Sequence, residues 1–202
     1  MIPTREDCFR LMSQSGMLEH IVEHSIQVAK VALFLSGELN RKGQRINPDL
    51  VEAAALLHDL TKAKSFKTKE DHALTGSRFL MELGYERVGK VVAEHIQLAK
   101  ENDSLWVSEE EVVNYADKRV RHNRIVSLQE RFEDLMERYG KNQRAFEMLE
   151  EMRKTTLEIE KKIFSFLEFN PDHLEALSLD INSRLEGSLE ENHSLTGADD
   201  KK

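Results

Sequence analysis

Apolar residues recur along most of this chain at intervals of three and four, the spacing of one face of a helix. The clearest stripes are Ile21, Val28, Ala32, Leu35 and Leu39; Val88, Val91, Val92, Ile96 and Ala99; and Val113, Ala116 and Val120. A near-heptad series follows: Phe146, Leu149, Met152, Thr156, Ile159, Ile163 and Phe166. These predict helices over about 18–39, 86–100, 108–139 and 142–167. Cap signals add three more. Thr4 with Asp7 opens a short helix over 4–14, which Gly16 ends; a second runs from about 70 to 83 and closes at Gly84; Asn170-Pro171-Asp172 starts a last one reaching about 185. Residues 40–45 and 64–69 read as polar loops. No stretch alternates as a strand would, so the expected fold class is all-α. The segments 108–139 and 142–167, parted by Gly140, should pair as a long C-terminal helical hairpin.

One stretch departs from the amphipathic pattern. From Asn47-Pro48-Asp49, a cap with a first-turn proline and an early acid, the chain enters Val51-Glu52-Ala53-Ala54-Ala55-Leu56-Leu57. That helix is apolar around most of its circumference and should be buried. It ends in His58-Asp59. A buried carboxylate needs an ion pair or a metal. Adjacent helical residues point about 100° apart, and both can reach one ion if the helix ends there, as Thr61-Lys62-Ala63-Lys64-Ser65 indicates. A plain buried His-Asp hydrogen bond explains the doublet equally well on its own.

Helical phase places further polar residues on apolar faces: His24, His72, His95 and Asp117. Taken singly, each is more often a hydrogen-bonded core residue than a ligand. Together with His58 and Asp59 they form a set of nitrogen and oxygen donors suited to Fe, Mn, Zn, Co or Ni, and a helical bundle can converge such side chains on one interior point. Gly76, four residues after His72, would let another element approach closely.

Composition narrows the field. The 202 residues suffice for one ordinary domain, and nine glycines and three prolines are few for a strand-and-turn protein. A net charge of −8 argues against nucleic-acid binding by bulk charge. Cys8 is the single cysteine, so no internal disulfide forms. No apolar run approaches the roughly 20 residues a membrane span needs. Glu6 and Asp7 come early and no apolar segment follows, unlike a signal peptide; the expected location is the cytoplasm, with no membrane partner.

The order His…His-Asp…Asp, with its contexts His24-Ser25-Ile26-Gln27-Val28-Ala29, Leu56-Leu57-His58-Asp59-Leu60-Thr61-Lys62 and Ala116-Asp117-Lys118, resembles the HD superfamily of metal-dependent phosphohydrolases over about residues 18–125. His72 in His72-Ala73-Leu74-Thr75-Gly76 and His95 in Glu94-His95-Ile96 resemble the two extra histidines of its binuclear branch. Thr61 stands where that family usually has glycine, a departure from its best-known subgroup that keeps the lysine.

The resemblance implies an HD-domain helical core over 1–125; the helical periodicity beyond it reads as an extension over 126–186 packed on that core, and the polar stretch 187–202 as a disordered tail. It implies His24, His58, Asp59 and Asp117 around a first divalent ion, and His72 and His95 around a second that Asp59 bridges. The ion, one or two per chain, would be Fe, Mn, Co, Ni, Zn or Mg. Lys62 would meet substrate phosphate, with Lys118, Arg119 and Arg121 as weaker candidates beside plain solvation. The implied activity is hydrolysis of a small phosphate ester, a nucleotide or dinucleotide. Two other classes stay open: a di-iron oxygenase on the same scaffold, and a non-enzymatic helical interaction module. The C-terminal helices offer a surface for a homodimer.

Overall fold

The computed structural model describes residues 1–98 and 105–176, and these form an all-α fold with one small hairpin. The helices in order are α1 (Arg5–Gln14), α2 (Glu19–Arg41), α3 (Pro48–Leu57), α4 (Lys62–Thr68), α5 (His72–Glu82), α6 (Glu86–Ala93) and α7 (Glu109–Lys118). Strands β1 (Val120–Arg121) and β2 (Arg124–Ile125) follow, then α8 (Leu128–Tyr139), α9 (Gln143–Phe164) and the short α10 (His173–Ala176). No helix among the described residues is long and apolar enough to cross a membrane.

The apolar helix α3 is the centre of the packing. Asn47 caps it by accepting from the Leu50 amide, and Pro48 occupies the first turn. Helices α1, α2, α6 and α7 pack around it. Val51, Ala54, Ala55, Leu56 and Leu57 keep no exposed surface, the outcome expected of a helix with no polar face. The core cluster runs without interruption from Cys8 on α1 to Leu174 on α10. Of the two glycines Gly76 and Gly89, it is Gly89 that leaves no room for a side chain. A Cβ on Gly89 would stand 2.9 Å from the Ser77 carbonyl oxygen, whereas one on Gly76 would make ordinary contacts at 3.4 and 3.5 Å.

Three expected boundaries move, each for a local reason. The loop expected over 64–69 is helix α4, and Lys69 ends it in the left-handed conformation, at φ 63°. Its lysines are adequate helix formers that leave no apolar stripe to read. Helix α6 stops at Ala93, short of the expected 100, so His95 follows the helix instead of lying on its face. The carbonyls of Glu94 and His95, which a continuing helix would use, accept from the Asn114 side chain, and that of His95 also from Lys118.

The long helix expected over 108–139 breaks at Lys118. Val120 pairs with Ile125 and Arg121 with Arg124 across a two-residue turn, in which His122 takes φ 56°. The C-terminal helical hairpin is therefore α8 and α9, with α7 a separate core helix. The expected helix end at Lys100, the extent of the last helix toward Leu185 and the tail 187–202 fall outside the described residues.

Arg119 joins these parts. It is 1% exposed. Its guanidinium donates to the Val126 carbonyl beyond β2 (2.8 Å), to Tyr115 Oη on α7 (2.7 Å) and to the Pro171 carbonyl ahead of α10 (3.1 Å), with Glu160 of α9 at 3.4 Å. A sequence reading that offered Arg119 to substrate is corrected here: every arm is turned into the fold. Removing one member of a buried pair strands the other. Arg119→Ala should therefore lower unfolding free energy by about 3–5 kcal/mol, measured by urea denaturation. A loss within the scatter of surface substitutions would refute the clamp.

Candidate metal centre

The site forms where the C-terminal end of α3 meets α2, α5, the turn after α6, and α7. His58 is the C-terminal cap of α3, and Asp59 begins the turn into α4. Ending the apolar helix there lets adjacent residues aim at one point, which a continuing helix would forbid. His58 has no exposed surface and Asp59 is 1% exposed. His24 comes from the second turn of α2, His72 opens α5, His95 follows α6, and Asp117 lies at the end of α7.

Three of the four histidines are oriented the same way. Nδ1 of His24 donates to the His122 carbonyl (2.9 Å), that of His58 to Ala55 (2.7 Å) and that of His95 to Val92 (2.7 Å). A ring whose Nδ1 donates to a carbonyl presents Nε2 as its lone-pair atom, the arrangement found behind metal-bound imidazoles. Those Nε2 atoms face carboxylate oxygens or one another. His24 Nε2 is 3.0 Å from Asp117 Oδ1, which also lies 3.7 Å from His58 Nε2. His72 Nε2 is 3.1 Å from Asp59 Oδ1 and 3.3 Å from His95 Nε2. Two groups of donors are close enough to share an ion: His24, His58 and Asp59, and Asp59, His72 and His95. Asp59 belongs to both.

Whether a metal fits is answered by what lacks a partner. His58 Nε2 and Asp59 Oδ1 are buried without a hydrogen bond. Buried acceptors in that state are costly unless a cation satisfies them. The electrostatics agree. Burial alone would raise the Asp59 carboxyl, but the neighbouring His58 and Lys62 outweigh it and hold the group well below the usual range. Asp117 behaves likewise, with Lys118, His24 and His58 overcoming burial. Burial and the neighbouring His58 hold His95 well below the ordinary histidine value, so it presents a neutral lone pair. Burial would lower His58 too, but Asp59 and Asp117 raise it. The pocket thus draws positive charge to the point where its two carboxylates converge. The cluster can hold a divalent metal.

Thr61, the departure from the family pattern, has its own use. Its hydroxyl donates to the His72 carbonyl (2.9 Å) and meets Thr75 Oγ1 (2.9 Å), tying the doublet turn to the helix that carries His72.

A cavity of about 460 Å³ opens onto the cluster. Lys62 lines it, with Nζ 2.6 Å from Asp59 Oδ2. Lys118 lines it as well, but its ammonium donates to Asp117 Oδ2 and to the His95 carbonyl, both at 2.8 Å. Arg121 is not brought to the cavity; it pairs with Asp134 at 3.2 Å. The sequence reading gave His122 no role. It carries the carbonyl that orients His24, a function of backbone that no residue identity announces. Arg131, Leu135, Arg138, Leu149 and Met152 of α8 and α9 complete the lining.

The model of the HD domain matches residues 21–159. The chain belongs to the HD-domain family. HD domains are generally metal-dependent hydrolases, and the matched stretch takes in every residue of the cluster and most of α9. Among individual proteins, an uncharacterized protein of Methanocaldococcus jannaschii is 28% identical over 137 residues, 61% of this chain and 80% of its own length. Ribonuclease Y of Fusobacterium nucleatum is 25% identical over 131 residues, covering 63% of this chain and 25% of the relative. A tRNA (cytidine(56)-2'-O)-methyltransferase of Picrophilus torridus is 28% identical over 153 residues, 68% of this chain and 41% of the relative. The chain thus spans about a quarter of that ribonuclease and about two-fifths of the methyltransferase. No solved structure matches the chain at a significant level.

Asp59 is the one residue common to both donor groups. Asp59→Ala should therefore bind far less metal than the wild-type protein when both are loaded with excess manganese and desalted, as read by elemental analysis. Its metal-free form should remain folded, since a buried charge leaves with the side chain. Wild-type metal content in this variant would exclude Asp59 as a ligand.

Proposed function

We propose that the protein hydrolyses a phosphate ester, with a nucleotide or dinucleotide as substrate and two divalent ions bridged by Asp59. The observation that carries the reading is a pair of donor groups sharing one buried carboxylate at the floor of a cavity of about 460 Å³, within the size range of sites for small ligands. Four imidazoles among six donors favour iron, manganese, cobalt, nickel or zinc over magnesium, which prefers oxygen. His24, His58, Asp59 and Asp117 would hold one ion, and Asp59, His72 and His95 the other. Ions so held lower the pKa of a bound water and polarise a phosphoryl oxygen.

The chain's own groups do the rest. Asp59 and Asp117 stay ionised and keep the donor set anionic. The Nδ1 bonds of His24, His58 and His95 keep their rings from turning as substrate enters. Lys62 extends from the start of α4 toward the cavity. Its ammonium stays charged there, because Asp59 and Asp117 outweigh the effect of burial and raise its pKa. It is the group of α4 placed to meet a phosphate oxygen. Ribonuclease Y, by its name, acts on RNA, a phosphodiester; the likeness supports phosphate-ester chemistry for this chain.

Elemental analysis of the purified protein, followed by a hydrolysis screen over nucleotides and dinucleotides with the metal found, tests the proposal. No turnover with any first-row divalent ion would refute it. Changing His72 and His95 together to alanine should lower the metal content from about two per chain toward one, as separate ligand sets around a bridging carboxylate require, and cut turnover steeply. An intact single equivalent with unchanged turnover would leave a one-metal site. Lys62→Ala should keep its metal and lose rate. If it loses metal to the extent that His58→Ala does, the phosphate role is wrong.

A further inference from the structure

Helix α8 lies along the mouth of the cavity and presents Arg131, Leu135, Arg138 and Tyr139 to it. Two of these are cations with an unusual common partner. Asp134 on the same helix is 5% exposed and meets three guanidiniums: Arg138 Nε at 3.0 Å, Arg121 Nε at 3.2 Å and Arg131 Nη1 at 3.5 Å. One carboxylate cannot neutralise three arginines, so the group carries surplus positive charge. Arg131 and Arg138 line the cavity, and Arg121 does not.

Arg131 goes deepest. Its side chain is 12% exposed, and Nη2 stands 3.9 Å from Asp117 Oδ1, at the edge of the donor cluster. Its Nε is buried with no hydrogen-bond partner. Asp117 does not need this arginine, because Lys118 donates to it at 2.8 Å and His24 faces it at 3.0 Å. Once Asp117 also serves as a ligand, Arg131 becomes a buried cation facing further positive charge. Asp134 meets only Nη1, at 3.5 Å, so the guanidinium keeps donors for an anion in the cavity. Lys62, the other cation at this depth, has its ammonium 2.6 Å from Asp59 and is less free to follow a substrate.

We propose that Arg131 grips the phosphoryl group of the substrate from the α8 side of the cavity, and that Asp134 is the residue that positions it. The proposal rests on the phosphohydrolase reading above. A planar guanidinium offers paired donors that match phosphate oxygens. Asp134 holds one edge of that plane, as a carboxylate behind a working arginine does, and leaves the rest to the cavity. The remainder of the substrate passes Leu135, Phe66, Tyr139 and Met152, an apolar and aromatic wall suited to a flat group such as a nucleobase. The helices beyond the ligand motif thus supply the substrate-binding half of the site.

The test uses the full chain loaded with manganese, with inorganic phosphate as the binding probe and p-nitrophenyl phosphate as the kinetic one. Arg131→Met should keep its manganese and bind phosphate about 10- to 100-fold more weakly by calorimetry, the loss expected for hydrogen bonds to a charged group. Arg131→Lys should recover part of that loss. Asp134→Asn should also keep its metal and weaken phosphate binding, and the double variant should be little worse than Arg131→Met alone, because Asp134 acts through Arg131. Equal phosphate affinity in wild type and Arg131→Met, with wild-type hydrolysis intact, overturns the role of Arg131 and leaves the proposed function standing. Manganese lost from both Arg131 variants makes the residue a support for Asp117 and also overturns it. A wild-type protein that neither binds phosphate nor hydrolyses any ester removes both proposals together.

Discussion

Two ionised carboxylates sit inside a helical core, Asp59 at 1% and Asp117 at 7% exposure. An acid in that position is tolerable only with positive charge or hydrogen-bond donors close around it. Much of the fold answers that demand. Helix α3 ends where it does so that His58 and Asp59 can turn to one point. His24 and Lys118 attend Asp117, and Lys62 attends Asp59. The answer is incomplete: His58 Nε2 and Asp59 Oδ1 are buried with no hydrogen bond, although His72 Nε2 stands 3.1 Å from the carboxylate oxygen. A core that was merely stable would close that gap with a side chain. Leaving it open costs stability, and such costs gather at functional sites.

The ligand atoms are only as good as the carbonyls behind them. The three carbonyls that receive Nδ1 protons come from different kinds of backbone. Ala55 and Val92 lie three residues before their histidines, in the last turn of a helix. His122 lies 98 residues beyond His24, in a two-residue turn. The first two bonds follow from where a helix stops. The third exists because α7 breaks into a hairpin and carries a carbonyl back to α2. The β1–β2 hairpin is small, but it fixes the tautomer of a candidate ligand.

This division explains what could be read in the sequence. The apolar run of α3 and its caps are local signals, and they place His58 and Asp59 without help. Helical phase brings His24 and Asp117 to the core correctly, because α2 and α7 keep their period through those residues. His95 is instructive. Phase set it on the face of a helix, whereas Asn114 and Lys118 take the carbonyls of that helix and turn it out into a loop. The residue reaches the site by a route that involves a side chain 19 positions away. Arg119 and Arg121 are weaker substrate candidates by sequence, and charge alone cannot tell an arginine aimed at solvent from one bound to Tyr115 or Asp134. The spacing of Arg131, Asp134 and Arg138, three and then four residues apart, was visible as a helix-surface pattern. Nothing in the local sequence said that this face looks into a cavity.

That last point bears on how the family's core is completed here. The candidate donor cluster lies between residues 24 and 117. Ligands alone, however, make an open floor. The walls above it come from α4, with Lys62 and Phe66, and from α8 and α9, with Arg131, Leu135, Leu149 and Met152. Helix α9 is itself anchored to α7 by Lys162, which donates to both oxygens of the buried Glu111 at 2.7 and 2.9 Å, and through Glu160 to Tyr115 and Arg119. Glu111 also closes the capping box of α7. The helix that carries Asp117 and the α9 wall of the cavity are thus joined by two ion pairs, Lys162 with Glu111 and Glu160 with Arg119, so the candidate metal cluster and the wall above it belong to one packed unit.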